Sequence, residues 1–528
     1  MCSICGIVVK DDEDSSIREM LREHLINVMR ILKHRGPDSS GAMFDDEVIY
    51  FKDFKDVLNS NLRRSSRVGL GHNRLAIVGN ASQPIPNEDE SVWVICNGEI
   101  YHYYELMGDL EDRHNFSSDT DSEVIVHCYE EGILQELDGE YAYCIYDREE
   151  NKLLLARDTF GVKPLFYIDT ERYFAFASER KGLWYLLRSI DNLSFKEIYN
   201  YPVASLDPNS QLIYNLDENR FHIVKNIQKI RMDYFNQYKN GDAVSDYELC
   251  KREVEKALWN GVIKRVRGLD KVGIIFSGGV DSTLVAKMAS EYCKVTLYTS
   301  GLEGCEDLEY GERIAEDLGL KLRMKVIDRE EYEEYLLKVA YAIDEIDLMK
   351  LSVGVPIYVA SEMARRDGIK VVLSGQGADE LFAGYKRYQR ILLTRGEEEL
   401  KKILYRDVMN IHRVNLERDD HCTMANSVEL RVPFLDKSLV EVALSLPLRY
   451  KINERERKII LRDIARKYIP EYVAYRPKKA AQYGSGSEKM IYTLGRSYGY
   501  SKRRIDIFLR DVLLKKMEEV YREKSLCV

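Results

Sequence analysis

Residues 272–282 read VGIIF followed by SGGVDS, an apolar run that leads at once into a turn of glycine and serine. A run without a polar residue favours a strand that is buried on both faces, as in a parallel sheet. Gly278 and Gly279 allow the backbone to approach a ligand closely. The free N–H groups of a helix that starts near Asp281 suit an anion. The stretch therefore predicts a strand, a phosphate-binding turn and a helix.

An acidic residue distinguishes this turn from the common phosphate loop. That loop, Gly-x-x-x-x-Gly-Lys-Ser/Thr, needs a lysine after its second glycine, and none is present here. Asp281 follows instead and is a suitable ligand for Mg²⁺ on the phosphates. The turn resembles the Ser-Gly-Gly-x-Asp-Ser pyrophosphate loop of the ATP pyrophosphatase family, whose members cleave ATP between its α- and β-phosphates. The alternative is a simple turn between a core strand and a helix.

The second half of the chain repeats this pattern of strand and small-residue turn. Apolar runs at 295–299 and 371–373 end in Ser300-Gly301 and Ser374-Gly375, and helical stretches separate them. The alternation predicts an α/β domain with a doubly wound parallel sheet, whose ligands bind at the carboxyl ends of the strands. Residues 1–200 are rich in short strands instead, with helices near 15–33 and 120–136. Residues 190–245 are polar and predict an irregular link.

Composition limits the class of protein. The 528 residues suffice for two or more domains, and 45% hydrophobic with 31% charged residues is typical of a globular protein. A net charge of −10 disfavours a nucleic-acid surface. No apolar run approaches 18 residues and no signal peptide is evident, so we expect neither a membrane span nor secretion. A cytoplasmic protein with free thiols among its ten cysteines is the expectation.

Cys2 is a candidate nucleophile. After removal of Met1 it would carry a thiol and an α-amino group in one residue. An α-amine has an ordinary pKa of about 7.7–8.0 and can therefore accept the thiol proton near neutral pH. The alternative is a small buried cysteine, which is the commonest fate of this residue type.

Several segments resemble the class II glutamine amidotransferase domain, whose N-terminal cysteine hydrolyses glutamine. They are residues 34–38 (HRGPD), 71–78 (GHNRLAIV), 97–101 (NGEIY), 118–123 (SDTDSE), 157–165 (RDTFGVKPL) and 176–179 (FASE). The resemblance implies an α+β fold of the Ntn type, with layered antiparallel sheets.

The same resemblance implies a glutamine site. Arg74 would bind the α-carboxylate of glutamine and Asp121 its α-ammonium. Asn97 and the Gly98 N–H would form the oxyanion hole beside Cys2. The implied set also includes three neighbouring residues, Ile77, Val78 and Glu99.

The combination of the two halves resembles the glutamine-hydrolysing asparagine synthetase family, from Cys2 to about Gly486. Further matching segments are residues 374–385 and 428–436. The resemblance implies the domains 2–200 (glutaminase), 201–245 (linker) and 246–528 (ATP pyrophosphatase-type synthetase). It implies ATP as substrate, with Mg²⁺ at Asp281 and Asp379. The implied ATP-binding residues are Ile275, Ser277, Gly278, Gly279, Asp281, Ser282, Ser300, Gly301, Ser374, Gly375 and Lys478.

In this family glutamine is hydrolysed at Cys2 and the ammonia reaches the second domain. There ATP adenylylates the side-chain carboxylate of aspartate, and ammonia then displaces AMP to give asparagine. The implied partners are glutamine, ATP and aspartate, with a homodimer as a further expectation and no nucleic acid or membrane.

The sequence departs from the family pattern at the acceptor site. Gln376 stands where the family usually has a glutamate, and Gln cannot take up a proton. Ser352 stands where the family commonly has an arginine, ahead of Pro356, which is expected to open a helix. If the segment is extended, Lys350 faces the same side as Ser352 and supplies the missing charge. We therefore assign Lys350, Gln376 and Asp379 to the acceptor site.

Three alternatives remain open from the sequence. The same chemistry could amidate or cyclise a different carboxylic acid. A regulatory protein that has lost synthesis is disfavoured, because Cys2, Arg74, Asn97 and Asp121 are all retained. A tRNA-modifying pyrophosphatase is disfavoured by the acidic charge and by the glutaminase segments.

Overall fold

A computed structural model describes residues 2–10, 15–58, 60, 65–238, 246–477 and 481–526. The chain divides into two compact units. Unit one comprises Met1–Gln228 with Lys515–Val528, and unit two comprises Lys229–Leu514.

Unit one contains two antiparallel sheets. The first has seven strands in the order β11-β9-β10-β1-β4-β2-β3, and the second has six in the order β13-β12-β8-β7-β6-β5. The strands are β1 Cys2–Val9, β2 Ser39–Phe44, β3 Glu47–Phe51, β4 Val68–Arg74, β5 Ile85–Pro86, β6 Val92–Ile100, β7 Gly139–Asp147, β8 Lys152–Arg157, β9 Phe166–Asp169, β10 Tyr173–Ala177, β11 Ala204–Ser205, β12 Ser210–Asn215 and β13 Arg220–Lys225.

The two sheets face each other and helices cover their outer faces. A core that includes Ile4, Leu70, Ile95, Cys144 and Phe174 fills the space between the sheets. The helices of this unit are α1 Ser15–Ile31, α2 Phe54–Leu58, α3 Tyr103–Leu110, α4 Val124–Glu130, α5 Arg180–Ser189, α6 Phe195–Tyr199 and, apart from its first residue, α23 Leu514–Leu526. Helices α1 and α5 pack on the first sheet, and α3 and α4 on the second. This is the layered α+β architecture that the resemblance implied.

The prediction that residues 190–245 form an irregular link is wrong about the local structure. Helix α6 and strands β11 to β13 lie within it, and β12 pairs with β8 in the second sheet. The buried side chains of Leu212 and Tyr214 alternate with more exposed ones along β12, which stabilises a strand at this position. The asparagine-rich turns are present, since Asn209 and Asn219 adopt positive φ on either side of β12. The proposed domain boundaries stay a prediction.

Unit two contains one parallel sheet of five strands, in the order β16-β15-β14-β17-β18. The strands are β14 Lys271–Ile275, β15 Lys294–Gly301, β16 Lys321–Val326, β17 Val371–Leu373 and β18 Glu429–Arg431, and all four neighbouring pairs are parallel. The predicted parallel α/β sheet is confirmed, because each of the three predicted strand positions lies in it.

Helices surround this sheet. They are α7 Tyr247–Val266, α8 Val280–Ala289, α9 Glu306–Leu318, α10 Arg329–Ile343, α11 Leu348–Arg366, α12 Ala378–Leu381, α13 Lys386–Arg395, α14 Glu397–Met409, α15 Glu417–Met424, α16 Lys437–Ser445, α17 Leu448–Lys451, α18 Ile459–Ala465, α19 Glu471–Ala474, α20 Ala481–Gly484, α21 Ser487–Ser497 and α22 Ile505–Phe508. Within the described residues, none of the helices in either unit is long and apolar enough to cross a membrane.

Helix α11 corrects a prediction about the acceptor segment. It begins at Leu348, and Asp347 caps it by accepting a hydrogen bond from Lys350 N at 2.8 Å. Pro356 lies inside the helix instead of opening it. Residues 350 and 352 are about 200° apart around a helix, so Lys350 does not face the same side as Ser352. The extended conformation was wrong because an N-terminal cap eight residues earlier than expected starts the helix.

Candidate active sites

The first candidate site lies where β1 begins. Cys2 pairs with Arg74 across β1 and β4, so the two side chains leave the sheet on the same face. Cys2 is buried, with 8% of its surface exposed. The Arg74 Nη2 donates to the carbonyl of Val78 at 3.2 Å and also to that of Gly79. These bonds use one nitrogen of a guanidinium that has five N–H donors. They hold the guanidinium in one orientation and leave other donors for a carboxylate ligand.

Asn97 joins β6 to the cysteine. Its Oδ1 accepts a hydrogen bond from Cys2 N at 3.0 Å. Its buried Nδ2 has no hydrogen-bond partner within the described part of the chain. A buried donor without a partner is costly unless a ligand satisfies it. Gly98 is required beside it, because a Cβ there would lie 2.3 Å from the Glu140 carbonyl oxygen of β7. The pair thus presents a side-chain donor next to the candidate nucleophile.

Asp121 lies at the start of the α4 segment and is held by the end of β6. Its Oδ2 accepts from Ile100 N at 2.7 Å, and Thr120 Oγ1 donates to its Oδ1 at 3.2 Å. Asp121 is buried, and so is Glu99. Ile77 and Val78 lie in the loop after β4 and are partly exposed. A buried carboxylate of this kind suits an ammonium ligand.

A buried charged network positions the cysteine, and the sequence did not assign it. Arg35 Nε donates to the Cys2 carbonyl at 3.1 Å, and Arg35 Nη1 donates to Glu179 Oε1 at 2.8 Å. Lys181 and His34 also contact the Glu179 carboxylate. Burial raises the pKa of Glu179, but its contacts with His34, Lys181 and Arg35 overcome this effect and hold the pKa well below its ordinary value. Arg35 and Glu179 occur in the segments 34–38 and 176–179 that carried the resemblance.

The second candidate site is the turn after β14. Gly278 adopts φ +64°, and Gly279 precedes helix α8. Ser277 Oγ and Ser282 Oγ lie 3.5 Å apart, and Ser282 Oγ donates to the Gly279 carbonyl at 3.3 Å. The strand, turn and helix predicted from the sequence are all present. The N–H groups in the first turn of α8 therefore point toward the Ser277–Gly279 turn, as an anion-binding site requires.

The other two small-residue turns end neighbouring strands of the same sheet. Ser300 and Gly301 end β15, and Ser374 and Gly375 follow β17. Gly375 approaches α8 closely, because a Cβ there would lie 2.7 Å from the Asp281 Cβ. Gly301 is equally crowded, since a Cβ would lie 2.4 Å from Cys305 Sγ. Because β14 is parallel to both β15 and β17, the three turns lie at the same carboxyl edge of the sheet.

Lys458 is a residue of this site that no sequence pattern indicated. Its Nζ lies 2.6 Å from Asp281 Oδ2 and 2.6 Å from Asp379 Oδ1, and it is almost fully buried. The lysine precedes α18, and 177 positions separate it from Asp281. One ammonium thus bridges the two carboxylates that were assigned to Mg²⁺. No local pattern predicts this, because the contact depends on the tertiary fold.

Arg476 adds a second cation to the turn. Its Nη1 donates to the carbonyls of Ser277 at 3.1 Å and Gly278 at 3.0 Å, and its Nη2 lies 3.4 Å from Asp307 Oδ1. A cleft opens at the turn, and its lining includes Ser277, Asp281, Asp307, Lys458, Arg462 and Arg476. Lys478, which was assigned to the phosphates, lies outside the described residues.

Two of the residues assigned to the acceptor site, Gln376 and Lys350, have different partners. Gln376 Nε2 donates to Asp419 Oδ2 at 2.6 Å, and Arg418 Nε donates to Asp419 Oδ1 at 2.7 Å. Burial raises the pKa of Asp419, while Arg418 and the Gln376 hydrogen bond lower it by less. Lys350 Nζ pairs instead with Glu345 at 2.5 Å. The Gln376 side chain therefore joins a buried ion pair on α15, which the sequence did not indicate.

Family models match both halves of the chain. The family model described as a glutamine amidotransferase domain matches residues 57–235, and the one described as asparagine synthase matches residues 253–398 and 392–517. The fold and these matches define a glutamine amidotransferase joined to an asparagine synthase domain.

Curated relatives match almost the whole chain. The "Putative asparagine synthetase (glutamine-hydrolyzing) 1" of Methanocaldococcus jannaschii is 56% identical over an alignment of 551 positions, which covers 98% of this chain and 99% of that protein. Asparagine synthetase B (glutamine-hydrolyzing) of Escherichia coli is 29% identical, with 92% and 83% covered. Asparagine synthetase (glutamine-hydrolyzing) 1 of Bacillus subtilis is also 29% identical, with 90% and 86% covered. The chain belongs to the glutamine-hydrolysing asparagine synthetase family.

Proposed function

We propose that this enzyme converts L-aspartate, L-glutamine and ATP to L-asparagine, L-glutamate, AMP and pyrophosphate. The observation that carries the proposal is the 3.0 Å hydrogen bond between Cys2 N and Asn97 Oδ1, which joins the candidate nucleophile to the candidate oxyanion donor. Membership of the family supports the overall reaction, since the relatives named above are called asparagine synthetases.

In the glutaminase step, the Cys2 thiol attacks the side-chain amide carbon of glutamine. The Cys2 α-amine, free after removal of Met1, takes the thiol proton. Asn97 Nδ2 and Gly98 N–H stabilise the negative oxygen of the tetrahedral intermediate. Collapse of this intermediate releases ammonia and leaves a thioester, and water then hydrolyses the thioester to glutamate. Arg74 and Asp121 hold the α-carboxylate and α-ammonium of the substrate.

In the synthetase step, a carboxylate oxygen of aspartate attacks the α-phosphorus of ATP and pyrophosphate leaves. The turn of Ser277, Gly278, Gly279 and Ser282 binds the phosphates through its N–H and hydroxyl groups. Ile275, Ser300, Gly301, Ser374 and Gly375 complete the nucleotide site, with Lys478 as a further phosphate ligand. Ammonia then attacks the acyl carbon of β-aspartyl-AMP and displaces AMP.

Asp281 and Asp379 are hard oxygen donors that converge on one cation, which fits Mg²⁺. Bound there, Mg²⁺ would neutralise charge on the phosphates. Lys458 contacts the same two carboxylates and brings a positive charge to the site through these ion pairs. It stabilises the charge that develops on the leaving pyrophosphate.

The acceptor site contains Gln376, Asp379 and Lys350 in this proposal, and Arg418 joins them. Ser352, at the family's arginine position, is buried and its Oγ donates to the Met349 carbonyl of its own helix. On the same helix, a Cβ at Gly354 would lie 3.8 Å from Arg418 Cγ. Arg418 of α15 therefore contacts α11 at Gly354, on a different side of the helix from Ser352. It provides a cation for an aspartate carboxylate, with Gln376 as the adjacent amide.

A different carboxylic acid is the second candidate function. The observation that favours it is the burial and internal hydrogen bond of Ser352, because a serine in this state cannot bind a carboxylate as an arginine does. Amidation or ring closure of another acid would use the same glutaminase and ATP sites.

One assay tests both candidates. Purified protein with Mg²⁺-ATP and ammonia is assayed for AMP and pyrophosphate, with aspartate and with a panel of other carboxylic acids. Aspartate-dependent release of AMP, with asparagine as product, supports the first proposal. Release of AMP that depends on another acid and not on aspartate contradicts it. We also propose a cytoplasmic location and a homodimer, as the sequence analysis expects.

A further inference from the structure

A cluster of two imidazoles and two carboxylates lies in unit one, apart from the residues discussed above. Its members are Glu88, His114, His127 and Glu130. Glu88 lies in the loop between β5 and β6, and His114 follows α3. His127 and Glu130 lie one turn apart on α4. The cluster therefore joins three segments that are distant in sequence.

The spacing of these groups matches a tetrahedral metal site. One ligand atom from each residue lies within 4.8 Å of all the others. His114 Nδ1 lies 3.4 Å from Glu88 Oε1 and 3.6 Å from Glu130 Oε2, and His127 Nδ1 lies 3.0 Å from Glu130 Oε2 and 3.8 Å from Glu88 Oε2. Zinc bonds of 2.0–2.2 Å imply ligand separations of about 3.3–3.6 Å in a tetrahedron. The four separations, which involve both oxygens of Glu88, run from 3.0 to 3.8 Å and span this range.

Outer hydrogen bonds hold the ligand atoms toward one another. His114 Nε2 lies 3.1 Å from Glu131 Oε1, so this carboxylate fixes the NH on Nε2 and leaves the Nδ1 lone pair for the cluster. Asn87 Nδ2 donates to Glu130 Oε1 at 2.8 Å, which leaves Oε2 on the inner side. The backbone N–H of Asn115 donates to Glu88 Oε1 at 2.8 Å. Such outer partners are characteristic of metal ligands.

The rigidity and access of the cluster also suit a metal. His127 is fully buried, and Phe116 packs edge-on against its ring at 4.7 Å. His114 is 11% exposed, whereas Glu88 and Glu130 are 32% and 26% exposed. The imidazoles are thus held by the core, and the carboxylates provide an entry path from solvent.

We infer that Glu88, His114, His127 and Glu130 bind one zinc ion. Two imidazoles and two carboxylates in a tetrahedron favour Zn²⁺ over Mg²⁺ and Ca²⁺, which take six or more oxygen ligands. Four protein ligands are typical of a structural zinc site. The ion would tie the loop of Glu88 and the segment of His114 to α4, directly after the turn that carries Asp121.

Metal content and spectroscopy test the inference on the full chain. Protein stripped with a chelator is titrated with Zn²⁺ against a chromophoric competitor, and separately with Co²⁺. We expect one tight Zn²⁺ per chain and the intense visible absorption of tetrahedral Co²⁺, together with a higher melting temperature. Weak pale Co²⁺ absorption, which indicates octahedral coordination, would overturn the inference.

Matched variants locate the site. His114→Gln and Glu88→Gln each remove one ligand from a partly exposed segment, and both should abolish the tight Zn²⁺ binding and the Co²⁺ absorption. Glu131→Gln keeps the four ligands and removes an outer hydrogen bond, so we expect about 10–100-fold weaker binding with the same Co²⁺ absorption. Glu136→Gln is an exposed control that should bind as the parent does. Equal zinc binding in the parent and in the two ligand variants would show that the cluster holds ion pairs alone.

Discussion

Lys458 Nζ lies 2.6 Å from Asp281 Oδ2, in a contact that joins the start of α18 to the first turn of α8. Asp379 lies at the same distance from the ammonium. A single buried cation therefore compensates two carboxylates beside the phosphate turn. Each of the three residues depends on the other two, because a buried charge without a partner is costly.

We expect Lys458→Met to lower aspartate-dependent AMP release by about 10²–10³-fold, since one preorganised charge on the leaving group is lost. Glutamine hydrolysis should be largely kept, because the thiol site belongs to other residues. Lys287→Met removes a partly exposed lysine of α8 that pairs with Glu291 and serves as the matched control. Undiminished AMP release in Lys458→Met would contradict the role of Lys458.

Asp281→Asn should impair Mg²⁺-ATP cleavage while glutaminase activity is retained, because it removes a formal charge beside the phosphates. A melting curve is needed alongside, since breaking a buried ion pair costs about 3–5 kcal/mol. Unchanged ATP turnover in a folded variant would reduce Asp281 to a residue of the helix start.

Cys2→Ala should abolish glutamine hydrolysis while free ammonia still supports product formation. The reason is that the thiol acts only in the glutaminase step. Cys5→Ala is the control, because Cys5 lies in the same strand and burial raises the pKa of its thiol. Glutamate release from glutamine is the measurement, and its persistence in Cys2→Ala would refute the assignment of the nucleophile.

The acceptor site is tested by comparing two cations. Arg418→Gln should raise the aspartate concentration needed for half-maximal AMP release, by about tenfold or more, because a buried carboxylate loses its cation. Lys350→Ala is measured in the same assay, since the sequence-based hypothesis predicts the rise in that variant. A rise in neither variant would remove both residues from the acceptor site.

Glu179→Gln should destabilise unit one at neutral pH by about 3–5 kcal/mol, because Arg35, Lys181 and His34 lose their shared carboxylate. The pKa of Glu179 is held below its ordinary value of 4.5, so its stabilisation is complete above pH 4.5 and is lost as pH falls through the folded pKa. The difference in unfolding free energy between parent and variant should therefore shrink in acid. Glu171→Gln, at an exposed turn, is the control, and a difference independent of pH would contradict the assignment.

Lys451→Met should stabilise unit two at pH 7 and change its stability little above pH 10.5. Burial lowers the pKa of Lys451 to about 7 from 10.5, so the folded parent disfavours the charged form. As pH falls from 10.5 to 7, the unfolded state binds the proton first and the parent loses stability. Urea unfolding at pH 7 and pH 9.5 measures this loss, which the variant should lack. Parallel pH dependences in the two proteins would show that Lys451 does not titrate in this way.

Local patterns were sufficient for the phosphate turn and the elements beside it, but not for strands β11 to β13. The run at 272–282 predicted β14, the phosphate turn and α8, because each depends on neighbouring residues alone. The strand pattern around Asn97 and Gly98 did not reveal their place inside β6, since an Asn-Gly pair also occurs in hairpin turns. Lys350 was misplaced because the sequence did not reveal that the cap at Asp347 begins α11.

The sequence by itself determined the class of each half of the chain, its candidate nucleophile and its phosphate turn, because these are written in contiguous residues. Tertiary structure alone decided which charges meet. Arg35 reaches Glu179 across 144 positions, and Lys458 reaches Asp281 across 177. The physical reason is that burial makes an unpaired charge costly, while the partner that neutralises it can come from any segment that the fold brings near.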